Sequence, residues 1–191
     1  MMRRYIWGTA IILACAGIMP ARAAPSRQGN FPVGGTVGGS CVMPQAGPLT
    51  LSTVVPANGK LDPGLNNVSW TLSGWSCNAG SRLSISARAL RLNNPQTSLT
   101  PSQSQTVNFT ARANGWTTAD ATITTGESTA LGSTTLYTGT PQTQSAPRTG
   151  SIIVSVSNFS VSTNKGSSAN SAKLIDGTYS ATIILTLTPS V

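Results

Sequence analysis

Side chains that could carry catalysis are scarce in this chain. Its 191 residues include 4 acidic and 12 basic side chains and no histidine. Acid–base and nucleophilic catalysis usually depend on histidine, a tuned carboxylate or an activated cysteine. No Ser-x-x-Lys motif is present either. The composition therefore argues against an enzyme.

The four carboxylates are better explained as structural groups. Asp62 lies in an Asp-Pro-Gly turn and Asp176 lies in a turn before Gly177, where an aspartate side chain can hydrogen-bond the backbone. Asp120 and Glu127 could meet in the fold, but two loop carboxylates do not specify a glycosidase. We expect no catalytic residue.

Motifs for cofactors and ligands are equally weak. The glycine pairs at 34–35 and 38–39 precede no helix and no Lys-Ser/Thr pair, so they predict no phosphate-binding loop. Trp70 and Trp75 fit a core better than a carbohydrate platform, whereas Trp116 follows an Asn-Gly turn and is a weaker core candidate. We expect no metal and no cofactor.

The amino terminus has the organisation of a secretory signal peptide over residues 1–23. Two arginines precede an apolar run at 5–18, and Ala-Arg-Ala at 21–23 is a small-x-small cleavage site. The run is too short for a comfortable membrane span. Residues 12–15 also loosely resemble a lipoprotein cleavage box, which leaves lipidation of Cys15 open. We expect an exported chain with no membrane span after signal removal.

Export determines how the cysteines are interpreted. Removal of the signal takes Cys15 away and leaves Cys41 and Cys77. In an oxidising compartment two thiols most simply form one disulfide. A metal site is disfavoured, because the chain has no histidine and no Cys-x-x-Cys. We predict a Cys41–Cys77 disulfide.

The net charge of +8 does not indicate a nucleic-acid interface. Part of the positive charge lies in the signal, and the remaining basic residues are spread thinly from Arg27 to Lys173. Nucleic-acid binding needs clustered Lys and Arg. We expect no nucleic-acid partner.

A period of two dominates the chain from residue 41 onward. In the last stretch, 177–188, the odd positions are apolar and the even positions are hydroxylated apart from Ile184. Gly74 is expected to mark a bulge, since the apolar parity changes between Leu72 and Trp75. Short alternating segments separated by Gly, Pro and Asn turns predict an all-β antiparallel sandwich.

The segment at 24–37 is rich in glycine and proline, yet its apolar residues keep one parity. Phe31, Val33, Gly35 and Val37 would share a face of an extended chain. The segment is either a disordered tail or an extended strand that offers side chains to pockets on another sheet. The periodicity alone leaves both interpretations open.

Four features together resemble a subunit of chaperone–usher pili, nearest the spore coat protein U-like branch. They are the signal peptide, the Gly-Thr-Val segment at 35–37 before Cys41, the strand–Cys77–strand unit, and the ending Asp-Gly-Thr-Tyr-Ser-Ala-Thr-Ile at 176–183. The resemblance covers most of the mature chain. One departure is the end Thr-Pro-Ser-Val, which lacks the aromatic residue common near the carboxyl terminus of such subunits.

The resemblance implies an incomplete immunoglobulin-like sandwich over 38–191 and a donor strand within 24–37. A periplasmic chaperone and an outer-membrane usher would hand subunits to a surface pilus, where the donor residues Phe31, Val33, Gly35 and Val37 complete a neighbouring subunit. The acceptor groove would run beside the terminal strand and expose its odd-numbered apolar residues, Tyr179, Ala181, Ile183, Leu185 and Leu187. The alternative is a self-complete secreted sandwich that binds a surface or a glycan, with Trp116 as a candidate sugar contact.

Overall fold

The structure is a computed structural model. It describes residues 37–44, 47–100, 102–128, 135–162 and 172–190. The expected signal peptide, with Cys15, therefore lies outside the described residues. The donor positions Phe31, Val33 and Gly35 lie outside them as well.

Strands make up most of the described chain. In order they are β1 (Cys41–Val42), β2 (Leu49–Val55), β3 (Ser69–Cys77), β4 (Ser81–Ala87), β5 (Leu90–Leu92), β6 (Gln103–Ser104), β7 (Thr106–Asn114), β8 (Ala121–Thr124), β9 (Tyr137–Thr138), β10 (Gln142–Gln144), β11 (Arg148–Val161), β12 (Lys173–Leu174) and β13 (Gly177–Pro189). One short 3-10 helix spans Pro63–Asn67.

The strands form two antiparallel layers. The front sheet runs β2–β13–β4, with β9 and β10 on the far edge of β4, and the back sheet runs β1–β3–β11–β7–β8. After a break at 88–89, β5 continues β4 and pairs with both β13 and β7, so it joins the layers. A small parallel pair, β6 and β12, lies apart. The predicted all-β antiparallel sandwich is confirmed.

The core lies between the two layers and is built from the inward positions of each strand. The odd positions of β13 fit this pattern, since Tyr179, Ala181, Ile183 and Leu187 are buried and Leu185 is partly buried. Burial of one large apolar side chain contributes about 1.5–3 kcal/mol. The alternation in the sequence therefore assigned the inward face of β13 correctly.

Two local predictions are also confirmed. Gly74 has φ 79°, and the register on β11 shifts there, so that Leu72 and Trp75 both face inward across a bulge. Cys41 lies directly opposite Cys77, and the two form a disulfide with a Cα–Cα distance of 4.1 Å. The disulfide fastens β1 to the edge of the back sheet.

Candidate functional site

Asp62, Asp120 and Glu127 each have a different partner. Asp62 precedes the 3-10 helix and accepts a hydrogen bond from the Gly64 amide at 2.8 Å, which is the structural role expected for it. Asp120 forms an ion pair with Arg112. Among the residues that the structure describes, no group of three His, Cys, Asp or Glu side chains could hold a metal ion.

Glu127 belongs to a buried polar network away from the Asp120 ion pair. Its carboxylate accepts a hydrogen bond from the Tyr137 hydroxyl at 3.1 Å. Burial, and then the hydrogen bond and charge of Glu127, raise the pKa of Tyr137. Asp120 and Glu127 thus have different partners, and the two do not form an acid–base pair.

Trp116 is a core residue. The expectation that it is a weaker core candidate than Trp70 and Trp75 is therefore wrong, and its side chain is not accessible to a sugar. Its side chain is fully buried, and its indole N–H donates to the Ser81 hydroxyl at 3.0 Å. The Arg148 guanidinium lies 5.8 Å from the ring centre. The side chain of a residue that follows a turn can still point into the core. An Asn-Gly pair predicts the turn but not the direction of the next side chain.

One main-chain edge of β13 is covered along its whole length. Residues 183–189 pair with β4, and residues 179–180 pair with β5. The Thr178 and Thr182 carbonyls accept hydrogen bonds from this side. Because the N–H and C=O of successive strand residues alternate in direction, the even-numbered residues of β13 face β4 and β5. The odd-numbered residues must face the opposite edge.

The opposite edge of β13 is covered over only half its length. β2 pairs with 177–183, and its last pair joins Leu49 to Ile183. Beyond that pair, no strand of the described residues forms ladder hydrogen bonds with 184–189 on this side, although β1 and the residues before it lie close to the carboxyl end of β13. We call this stretch the free edge.

The sequence before β2 explains why the pairing stops there. Continuing the register by two residues would place Gly47 opposite Leu185. Gly47 adopts φ 147°, and Pro48 has no backbone N–H to donate. The chain therefore turns away from β13 at this dipeptide, on its route from β1 in the back sheet.

The free edge offers main-chain groups to an incoming strand. The N–H and C=O of Leu185 and Leu187, together with the C=O of Pro189, point toward it by the alternation of the ladder. Six residues of strand span about 20 Å, enough for a short added strand. Exposed strand edges of this kind are the sites at which other chains pair.

The described chain begins beside the carboxyl end of the free edge. The Asn78 side chain holds the entering segment, since its Oδ1 accepts from the Ser40 amide at 2.6 Å and its Nδ2 donates to the Gly38 carbonyl at 3.2 Å. A Cβ on Gly39 would lie 3.0 Å from the Pro189 side chain. Only glycine fits this contact without displacing Pro189.

Four apolar side chains of the entering segment and of β13 are exposed. Val37 is 86% exposed at the start of the described chain, and Val42 and Met43 are also exposed. Ile184, the exception to the hydroxylated pattern, is exposed at the beginning of the free edge.

The structure separates the predicted acceptor residues into two groups. Tyr179, Ala181 and Ile183 lie in the half of β13 that has a strand on both sides, so no open groove runs beside them. Leu185 and Leu187 lie on the free edge. β2 fills the edge beside residues 177–183. The Gly47-Pro48 dipeptide was the sequence signal that could have located the point on β13 where this pairing ends.

Tyr179 is anchored as well as buried. Its hydroxyl donates to the Ile175 carbonyl at 2.9 Å. Burial, with a smaller contribution from the Asp176 carboxylate, raises the pKa of Tyr179 to about 12. The first half of β13 is therefore held by side-chain as well as main-chain contacts.

Comparisons of this chain with protein-family models, with curated proteins and with solved structures find no significant match. Among the described residues, no helix is long and apolar enough to cross a membrane.

Proposed function

We propose that this protein is a structural subunit of a surface pilus and that it polymerises by strand addition at the free edge. The observation that carries the proposal is that no strand of the described residues pairs with the main-chain groups of Leu185 and Leu187 that face the free edge. An added strand would gain ladder hydrogen bonds from these groups, and its alternate side chains would determine its register.

The donor in this proposal is the segment 24–37 of a second copy. Its apolar residues of one parity, Phe31, Val33 and Val37, would contact the neighbour, and Gly35 would allow a close approach. Donation from head to tail does not close on itself, so it produces a filament. A periplasmic chaperone and an outer-membrane usher would protect and deliver the exported subunit.

The geometry limits where the donor can pair. β2 already occupies the edge beside Tyr179 and Ala181, so the new strand would pair with 184–189 and would be short. It would end near Pro189, beside which Gly39 of the acceptor's own chain lies. The proposed acceptor residues are therefore Leu185 and Leu187.

A complementation experiment in the native host tests the proposal. Val33→Asp should inactivate the donor, and Leu185→Asp should inactivate the acceptor, because each would bury an unpaired charge at the joint. Neither variant alone should give filaments in negative-stain images of sheared surface material. Expressed together with different tags, the two should co-purify as dimers that cannot grow.

The control places the same charge away from the joint. Ile153 is 40% exposed on the outer face of the back sheet, so Ile153→Asp should leave filaments unchanged. Filaments of normal length from either single variant would contradict strand addition. Failure of the tagged pair to co-purify, while each variant remains soluble and disulfide-bonded, would also contradict it.

The second candidate is a self-complete secreted sandwich that binds a surface or a glycan. The full pairing of residues 177–183 favours it, because that half of the terminal strand needs no added strand. A stable monomer that folds without a chaperone and never forms filaments would support this candidate over the first.

A further inference from the structure

The outer face of the front sheet is rich in hydroxylated side chains. Cross-strand neighbours on this face include Thr50 opposite Thr182, Ser52 opposite Ser180, and Thr186 opposite Ser84. Their side chains face outward, since the residues on either side of them in β2, β4 and β13 are largely buried. Such rows offer both donors and acceptors of hydrogen bonds.

Three arginines follow one continuous run across this face. Arg82 lies in β4 with a threonine on each side, Arg88 lies at the break between β4 and β5, and Arg91 lies in β5 opposite Ser180. The residues of β13 opposite the first and last of them, Thr188 and Ser180, are eight positions apart, which places these two arginines about 26 Å apart. The spacing suits an extended ligand rather than one small anion.

The protein does not neutralise these arginines. No ion pair joins Arg82, Arg88 or Arg91 to a carboxylate of the described residues, whereas Arg112 on the back sheet is paired with Asp120. The Nε of Arg91 is buried and has no hydrogen-bond partner among the described residues. A guanidinium without an ion-pair partner is available to pair with an anionic ligand.

We infer that this face binds an acidic polysaccharide, with Arg82, Arg88 and Arg91 pairing the acidic groups and the threonine and serine rows pairing the sugar hydroxyls. The guanidinium fork matches a carboxylate or a sulfate in two parallel hydrogen bonds. Bases of nucleic acids are held by stacking on aromatic side chains, and none of the outward residues of β2, β4 or β13 is aromatic. This inference does not depend on strand addition.

The test compares two double variants that lose the same charge. The binding of purified full-length protein to immobilised polygalacturonate, heparin and neutral dextran is measured at low salt. Arg82→Gln with Arg91→Gln should weaken binding to the acidic polymers about tenfold, as the loss of two charge pairs of ordinary strength would. The control pair, Arg112→Gln with Lys173→Gln, should change it less than twofold. Preference for polygalacturonate or for heparin distinguishes carboxylate from sulfate recognition.

Three results would overturn the inference. The wild type could bind the acidic polymers no better than dextran. Both double variants could weaken binding equally, which would indicate attraction by net charge alone. Duplex DNA could bind with the same affinity and the same dependence on Arg82, which would indicate a general polyanion surface. The single variant Arg82→Gln serves as the control for misfolding. Because Arg82 is exposed, its substitution should leave the fold intact, so any loss of binding by this variant is a loss of the contact itself.

Discussion

The two halves of β13 share one sequence pattern but have different surroundings. Residues 177–183 lie between β2 on one edge and β4 with β5 on the other, whereas 184–189 pair with β4 alone among the described strands. Both halves direct their odd-numbered side chains inward. Burial of a side chain and coverage of a main-chain edge are therefore separate properties of a strand, and only the second decides where another chain can pair.

Hydrogen exchange should show the largest difference between the halves. The amides of Ala181 and Ile183 face β2, while those of Leu185 and Leu187 face the free edge. We expect the second pair to exchange about a thousandfold faster in the monomer, because their exchange requires no opening of a ladder. Amide exchange followed by NMR measures this directly.

The same measurement on filaments sharpens the comparison. Strand addition should slow the exchange of Leu185 and Leu187 to the level of Ala181. Equal protection of all four amides in the monomer would mean that the free edge is already covered.

Truncation of core side chains should show the next largest difference. Ile183 is fully buried where β2, β4 and β13 meet, so Ile183→Ala should lower the free energy of unfolding by about 3 kcal/mol. Leu185 is only partly buried, and Leu185→Ala should cost about 1–2 kcal/mol. Urea unfolding of both variants tests this, and a cost at Leu185 equal to or above that at Ile183 would contradict the assigned boundary.

The smallest expected effect concerns Tyr179 and alkaline pH. Its pKa is raised from 10.0 to about 12 in the folded chain, so the unfolded chain loses this proton first. The contribution to stability is full below pH 10 and is lost as the pH rises toward 12. Tyr179→Phe should cost about 1 kcal/mol at neutral pH, through the lost hydrogen bond to Ile175.

The substitution should also reduce the decline of stability above pH 10. Part of the decline should remain in Tyr179→Phe, because the pKa of Tyr137 is raised as well. Urea midpoints at neutral and alkaline pH measure both effects. An unchanged alkaline decline in Tyr179→Phe would show that this hydroxyl is not the titrating group.

Local patterns predicted much of this fold. The period of two located the strands and their inward faces, and a change of parity located the bulge at Gly74. The Cys41–Cys77 disulfide followed from the count of thiols that would remain after the expected removal of a signal peptide. Trp116 escaped prediction, because its burial depends on distant partners such as Ser81 rather than on its neighbours in sequence.

The sequence by itself determined which side of β13 faces the core, because hydrophobicity belongs to the side chains and alternates with them. It did not determine which edge of β13 is covered. Every residue other than proline presents the same N–H and C=O at a strand edge, so side-chain patterns carry little information about edge pairing. Only the tertiary structure placed β2 beside 177–183 and left 184–189 with a single partner strand among the described residues.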